Sequence, residues 1–263
     1  MSAQKAAIGW RIYGATIVVL ALVGFALGDF LPGQPAPSWL PARPFFAAAA
    51  SGFMLLAGIA LQWRRIAAGA AAALTAYYAV LVVVLMDGRV ILGHLGVFGA
   101  YSGAAEQLAI AAAGLIVYAA HERRHVAMNA RLTRIGQIVF GLCALLFGAA
   151  HFVYMELTTP LVPQWLPPSP AFWAVATGVF HILGGLAILT GVRARLAAIL
   201  LTVMYAAFTP LVHLPMLLST PGNHEVWSEN ALNLALMAVA WVVADSLRGR
   251  ASKGSAPQTS NSA

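Results

Sequence analysis

Apolar residues fall along this chain in eight blocks, each long enough to cross about 30 Å of hydrocarbon at 1.5 Å per helical residue. The blocks lie at approximately 12–30, 45–62, 67–86, 103–120, 134–153, 171–190, 196–213 and 229–245, and nearly all have no charge at their centres. Ala and Gly are abundant and β-branched residues rarely alternate with polar ones, so the period of two that a membrane barrel requires is missing. The pattern predicts an all-α membrane protein with eight transmembrane helices. Lys5 and Arg11 followed by an apolar run ending near Ala26 and Gly28 resemble a secretory signal. That block matches block five in position and length, however, and block five cannot be a signal. Both are read as retained helices.

The blocks are related in pairs. Residues 37–61 align without gaps onto 163–187 with ten of the 25 pairs identical, among them Pro37/Pro163, Trp39/Trp165, Leu40/Leu166, Pro41/Pro167, Gly52/Gly178 and Gly58/Gly184. Weaker correspondences flank this stretch: Gly14 with Gly136, Phe30 with Phe152, Tyr78 with Tyr205, and Glu106-Gln107 with Glu229-Asn230. The reading is a tandem duplication of a four-helix unit. Four crossings return the chain to its starting side, so the copies share one orientation and form parallel repeats about an axis along the membrane normal. The predicted organisation is a first unit at 1–122, a second at 123–247, and a Ser, Gly, Lys and Gln rich tail at 248–263, expected to be a disordered cytoplasmic end. Small residues at helix-facing positions (Ser51, Gly52, Gly58, Gly141, Gly148, Gly178, Gly184 and Gly185) are expected to let backbones approach. The Pro-x-Trp-Leu-Pro element of each unit is expected to anchor a loop at headgroup depth, with a short lid over a cavity as the alternative.

Composition agrees and adds orientation. The chain is 61% hydrophobic and 9% charged, against roughly 25% charged in soluble domains. Of its 15 Lys and Arg residues, all but Arg43 and Arg89 fall on one side of the blocks. By the positive-inside rule both termini are expected to be cytoplasmic, in a bacterial-type inner membrane. The basic pI of 10.1 therefore reports topology and attraction to anionic lipid. Nucleic acid is not an expected partner, because the basic residues are scattered over short loops with no interleaved aromatics. The lone Cys143 excludes an internal disulfide and any Cys-x-x-Cys chemistry, and is read as a small packing residue.

The candidate chemistry lies in histidines and one carboxylate. His121 and His125 belong to a basic loop. His151 stands 17 residues from Arg134 and His213 stands 18 from Arg195, placing both about 25–27 Å from the cytoplasmic edge. His181, 12 residues from Arg193, is expected about 18 Å up, near the bilayer midplane. An ionisable group there is either a neutral ring bonded to a neighbouring helix or part of a functional site. Glu229 is placed at the start of the last helix, at the level of His151 and His213, as Glu106 is at the start of the fourth; a helix N-terminus alone explains both. With Glu156, Asn230 and Thr209-Pro210, these groups are expected to line one pocket opening outward. The first unit has Asp29 and Leu55 in place of His151 and His181, so the second is the candidate active half. His151, His181, His213 and Glu229 are the candidate substrate- or cofactor-binding residues.

The segment GLCALLFGAAHF, followed by VPQWLP and ATGVFHILGGLAILTGVRARLAAILL, resembles the DoxX-like (DoxX/DoxD) family of four-helix membrane proteins over about Arg134 to Pro215, with the first unit following faintly. His151 fits the family histidine, whereas His181 stands where many members have Glu. The resemblance implies a compact helical bundle in a bacterial-type membrane; some relatives are membrane subunits of a thiosulfate:quinone oxidoreductase. Three readings stay open. The first is a membrane component of a quinone-linked redox system, binding a small substrate in the second unit, with a partner subunit or soluble donor supplying the electron carrier. The second is a small-molecule transporter, and the third a non-catalytic assembly partner. The cofactor is left open: quinone is compatible with the first reading, and metal or haem ligation is less favoured, because no histidine pair is duplicated and the spacing names no metal.

Overall fold

The structure, a computed structural model, describes residues 7–122 and 125–248, and the expected tail beyond Arg248 lies outside the described residues. Eight spans cross the fold: α1 (Gly9–Leu27), α2 (Arg43–Ala60), α3 (Ala67–Gly93), α4 (Phe98–His121), α5 (Val126–Val153), α6 (Pro170–Thr190), α7 (Ala194–Ser219) and α8 (His224–Ser246). No strand is present among the described residues. α4, α5, α7 and α8 each extend well beyond the apolar blocks. A block ends where hydrocarbon ends, whereas a helix continues through the polar interface, where Arg131 or Glu225 is tolerated.

Packing repeats as the sequence does. α1 packs on α2 as α5 packs on α6, α3 on α4 as α7 on α8, and α4 on α5 as α8 on α1. That last pairing closes the bundle, as two parallel four-helix repeats require. α4 and α8 also touch each other at the centre, and each is 67% buried, the highest share of the eight spans. The other six present a broad face to lipid.

Glycines set the closest crossings. A Cβ on Gly58 would lie 2.7 Å from the Gly14 carbonyl oxygen, one on Gly185 the same distance from that of Gly141, and one on Gly148 the same from that of Gly178. Backbones in contact substitute for the missing hydrophobic drive between helices in lipid. At one edge of the second unit, Arg134 donates to the Ile188 and Leu189 carbonyls and so satisfies the open end of α6. At the corresponding edge of the closing pair, the Asp245 carboxylate accepts from the Gly9 amide at 2.9 Å and pairs with Arg248 at 2.6 Å.

Both third helices widen into π-helical winding, over Tyr77–Asp87 in α3 and Thr209–His213 in α7. The second includes Pro210, whose missing N–H and ring displace the ordinary ladder. The two units differ most between their first and second helices. In the first, Phe30, Leu31, Gln34 and Ala36 are buried. Arg43 holds this segment by donating to Asp29 (2.8 Å) and to the carbonyls of Ala36 (2.6 Å) and Pro37 (3.0 Å), and Arg89 donates to the Pro35 carbonyl (3.0 Å). Partial burial opposes the Asp29 charge, but hydrogen bonds from Arg43 and the Phe30 amide, with the guanidinium charge, hold its carboxyl below the usual range. In the second unit the same stretch is longer, ten residues (153–162) against six (31–36) between the paired phenylalanines and prolines. It forms a short helix at Met155–Thr158 and stays at the surface. Trp39 and Trp165, 74% and 72% exposed, stand at matching places as interface anchors.

Candidate functional site

The second unit, with α4 of the first, surrounds a cavity of about 980 Å³ whose walls come from α4, α5, α6, α7 and α8. One long side is apolar and lies in the groove between α6 and α7, where Phe180, Leu183, Leu196, Leu200 and Val203 are all 47–59% exposed. These are faces that lipid would otherwise cover, so the cavity opens sideways into the bilayer. Its walls include His151, His181, His213 and Glu229, and at its polar end His151, His181 and Tyr205 lie ring to ring.

His181 is 2% exposed on α6, with Nδ1 2.9 Å from the Thr177 carbonyl oxygen and Nε2 3.1 Å from the Tyr205 hydroxyl. Both ring nitrogens are thus satisfied within the protein, the arrangement that a neutral buried imidazole needs. His151 Nδ1 lies 3.2 Å from the Thr177 hydroxyl, and its ring centroid is 5.2 Å from that of His181. This proximity corrects the depths estimated by counting residues, which separate the two by about 8 Å. The reason is helix polarity: α5 and α6 run antiparallel, and each Cα–Cβ bond leans toward its own N-terminus, so the two side chains lean toward each other. Phe147 and Tyr205 complete the aromatic surround, at 6.1 and 5.4 Å from His181.

Glu229 and its repeat partner Glu106 both reach this end of the cavity. Neither begins its helix. α4 starts at Phe98 and α8 at His224, so neither carboxylate lies in a first turn, and the macrodipole account of them fails. Glu229 also borders a small void of about 20 Å³ in the first unit, beside Leu31, Gly33 and Tyr78, and so stands in the wall between the units. Glu106 is within electrostatic reach of Glu229 and of Asp87, a buried residue of α3 whose Oδ2 has no hydrogen-bond partner.

The cavity differs from the pocket read from the sequence in several members. Glu156, Asn230, Thr209 and Pro210 are absent from its wall; Glu106, Tyr205, Thr177 and Asn233 are present. Asn233 is one helical turn beyond Asn230 and bonds the Tyr205 carbonyl and the Thr209 hydroxyl, both at 3.0 Å, tying α8 to the π-helical turn of α7. Two signals for the missed residues exist in the sequence: the pairing of Glu106 with Glu229 and of Tyr78 with Tyr205. Among the described residues no group of three or more His, Cys, Asp or Glu is placed to hold a metal ion. The arrangement offers instead a polar head site, with two imidazoles and two carboxyls, on a long apolar seat.

A family described as a domain of unknown function, DUF8561, matches residues 140–245, less than half of the chain and wholly within the second unit. None of the curated proteins matches the chain. None of the solved structures does. Together with the eight apolar spans, these findings describe a polytopic membrane protein whose residues 140–245 match a domain of unknown function.

Proposed function

We propose that the chain is a bacterial-type inner-membrane protein, with both termini cytoplasmic, whose second unit binds a small lipid-soluble molecule of quinone type as part of a quinone-linked redox system. The observation that carries this reading is the sideways opening between α6 and α7: an apolar groove of half-exposed side chains in a cavity whose walls also include His151, His181, His213 and Glu229. A polar solute from water has no use for such an entrance, whereas a ring with an apolar tail fits both halves of it. The DoxX-like resemblance of Arg134 to Pro215 supports the same assignment and belongs to the same proposal. In this reading the first unit is a scaffold, and electrons come from a partner subunit or soluble donor.

His151, Glu106 and Glu229 give such a head group adjacent proton-accepting sites, the requirement for any change in its redox state, and His181 supports the site through Tyr205. The test is purification of the full chain in mild detergent, extraction of bound small molecules, and titration of the depleted protein with decylubiquinone. Near-stoichiometric quinone in the extract and saturable decylubiquinone binding, lost in His181→Leu, are expected. An extract without quinone, together with no saturable binding, would overturn the assignment.

A further inference from the structure

The polar end of the cavity is uneven in its hydrogen-bonding sense. A carbonyl oxygen only accepts, so in the neutral ring the proton of His181 is on Nδ1, facing Thr177, and Nε2 is bare. The Tyr205 hydroxyl therefore donates to Nε2, which leaves its oxygen free to accept. The Thr177 hydroxyl donates to the Trp173 carbonyl at 2.8 Å, so toward His151 it accepts; that puts the His151 proton on Nδ1 and leaves Nε2 bare.

The remaining donors of this wall are engaged in the same way. Both amide hydrogens of Asn233 are taken by Tyr205 and Thr209, the Trp173 indole donates to the Pro167 carbonyl, and the Ser102 hydroxyl donates to the Gly99 carbonyl. What remains for an occupant is a set of acceptors: His151 Nε2, the Tyr205 oxygen, and the carboxyls of Glu106 and Glu229, each of which keeps an acceptor oxygen in either protonation state. The free donors are the Tyr154 hydroxyl, the His213 ring, Arg193 at the far end of the groove and, when protonated, one O–H on each glutamate.

The first unit shows what the chain itself places at the corresponding position. There the 2% exposed Gln34 donates to Met54 Sδ at 3.5 Å and accepts from the Tyr77 hydroxyl at 3.1 Å, while the Tyr78 hydroxyl donates to the same sulfur at 3.1 Å. Tyr78 is the repeat partner of Tyr205, and Met54 aligns beside the position of His181. The internal occupant thus turns an N–H toward the sulfur that also accepts from this tyrosine.

We propose that the second-unit cavity selects the reduced, hydroxyl-bearing form of its ligand, a quinol, whose O–H groups donate to Tyr205, His151 and the two glutamates while its tail lies between α6 and α7. This rests on the quinone-type reading above and adds the redox form that the site prefers. At His151 and Tyr205 a bare carbonyl oxygen faces acceptors, whereas a hydroxyl satisfies them.

The test compares binding of decylubiquinol, under argon with excess reductant, and of decylubiquinone to the full-length protein in nanodiscs. A preference for the quinol of about ten-fold or more is expected, the size of one good hydrogen bond. In Tyr205→Phe, which removes an acceptor, and in Glu229→Gln, which fixes a donor there in every protonation state of the site, the preference should narrow to about three-fold or less, with Glu229→Gln gaining affinity for the quinone form. Equal or tighter quinone binding by the wild type would overturn the proposed selectivity and leave the quinone-type site standing. An unchanged preference in both variants, each eluting as a single folded species, would overturn the assignment of the acceptors. Failure of both probes to bind would overturn the quinone-type site, and the selectivity with it.

Discussion

His181 is a ring almost without solvent contact, and both of its nitrogens have protein partners, the Thr177 carbonyl and the Tyr205 hydroxyl. Removing the ring leaves the hydroxyl of Tyr205 without its acceptor in a buried place, at about 1–3 kcal/mol. His181→Gln, which restores an acceptor of similar reach, should retain the fold and most decylubiquinone binding, whereas His181→Leu should fold and lose at least ten-fold in affinity. Wild-type binding by the Leu variant would show that the ring only fills space. Asp29 supports a different prediction. Its carboxyl is held below the usual value, so the stability it adds is present above about pH 4 and is lost as the pH falls through its lower folded value. The side chain is 48% exposed, so solvent weakens the pair. Wild type and Asp29→Asn should differ in melting temperature by no more than about 2–4 °C at pH 6, and the gap should close as the pH approaches 2. A gap that grows on acidification would contradict this sign. At this scale the sequence names His151, His181, His213 and Glu229 but not their distances: counting along a helix locates Cα atoms, while the direction of Cβ decides which rings meet.

Among the elements, the segment between α1 and α2 departs most from its repeat partner. Leu31 and Gln34 occupy the interior of the first unit where the second has open volume, and Arg43 and Arg89 fasten the segment from outside. These are the two arginines that the positive-inside count leaves on the wrong side, and their work as donors to loop carbonyls accounts for the exception. With Cys143→Ser as background, Met54→Cys should be inert to a small membrane-permeant maleimide, and should react once Leu31→Ala and Gln34→Ala empty the space above it. A thiol at this position that stays unreactive when both alanines are present in a folded protein would show that the helices close in without the segment; Gln34→Ala alone serves if the two alanines together are unstable. Hydropathy could not show this plug, because six residues between a helix end and a proline cluster read equally well as surface loop. The helix starts escape a hydropathy reading for a related reason: Phe98–Gly103 and His224–Ser228 are too polar or too glycine-rich to count as apolar blocks, although they are helical. Moving those starts outward is what takes Glu106 and Glu229 out of their first turns.

In the whole molecule, the duplication was legible because Pro, Trp and Gly recur at constant spacing, and the closing contact of α8 on α1 follows from it. The cavity was not, since it arises from an absence: the ten-residue connection 153–162 stays outside where its six-residue counterpart folds in. Orientation is open to direct labelling. In the Cys143→Ser background, Ser169→Cys and Asn223→Cys should react with an impermeant thiol reagent on intact cells, and Arg65→Cys should react only after lysis; the reverse pattern would invert the proposed topology. The opening between α6 and α7 has one further consequence, for what concentration means to this site. A ligand entering there is drawn from a two-dimensional solution, so occupancy follows its mole fraction among the lipids and not its molarity in the buffer. Adding empty vesicles at fixed ligand and protein would then dilute the ligand and strip the site, though nothing in the aqueous phase had changed.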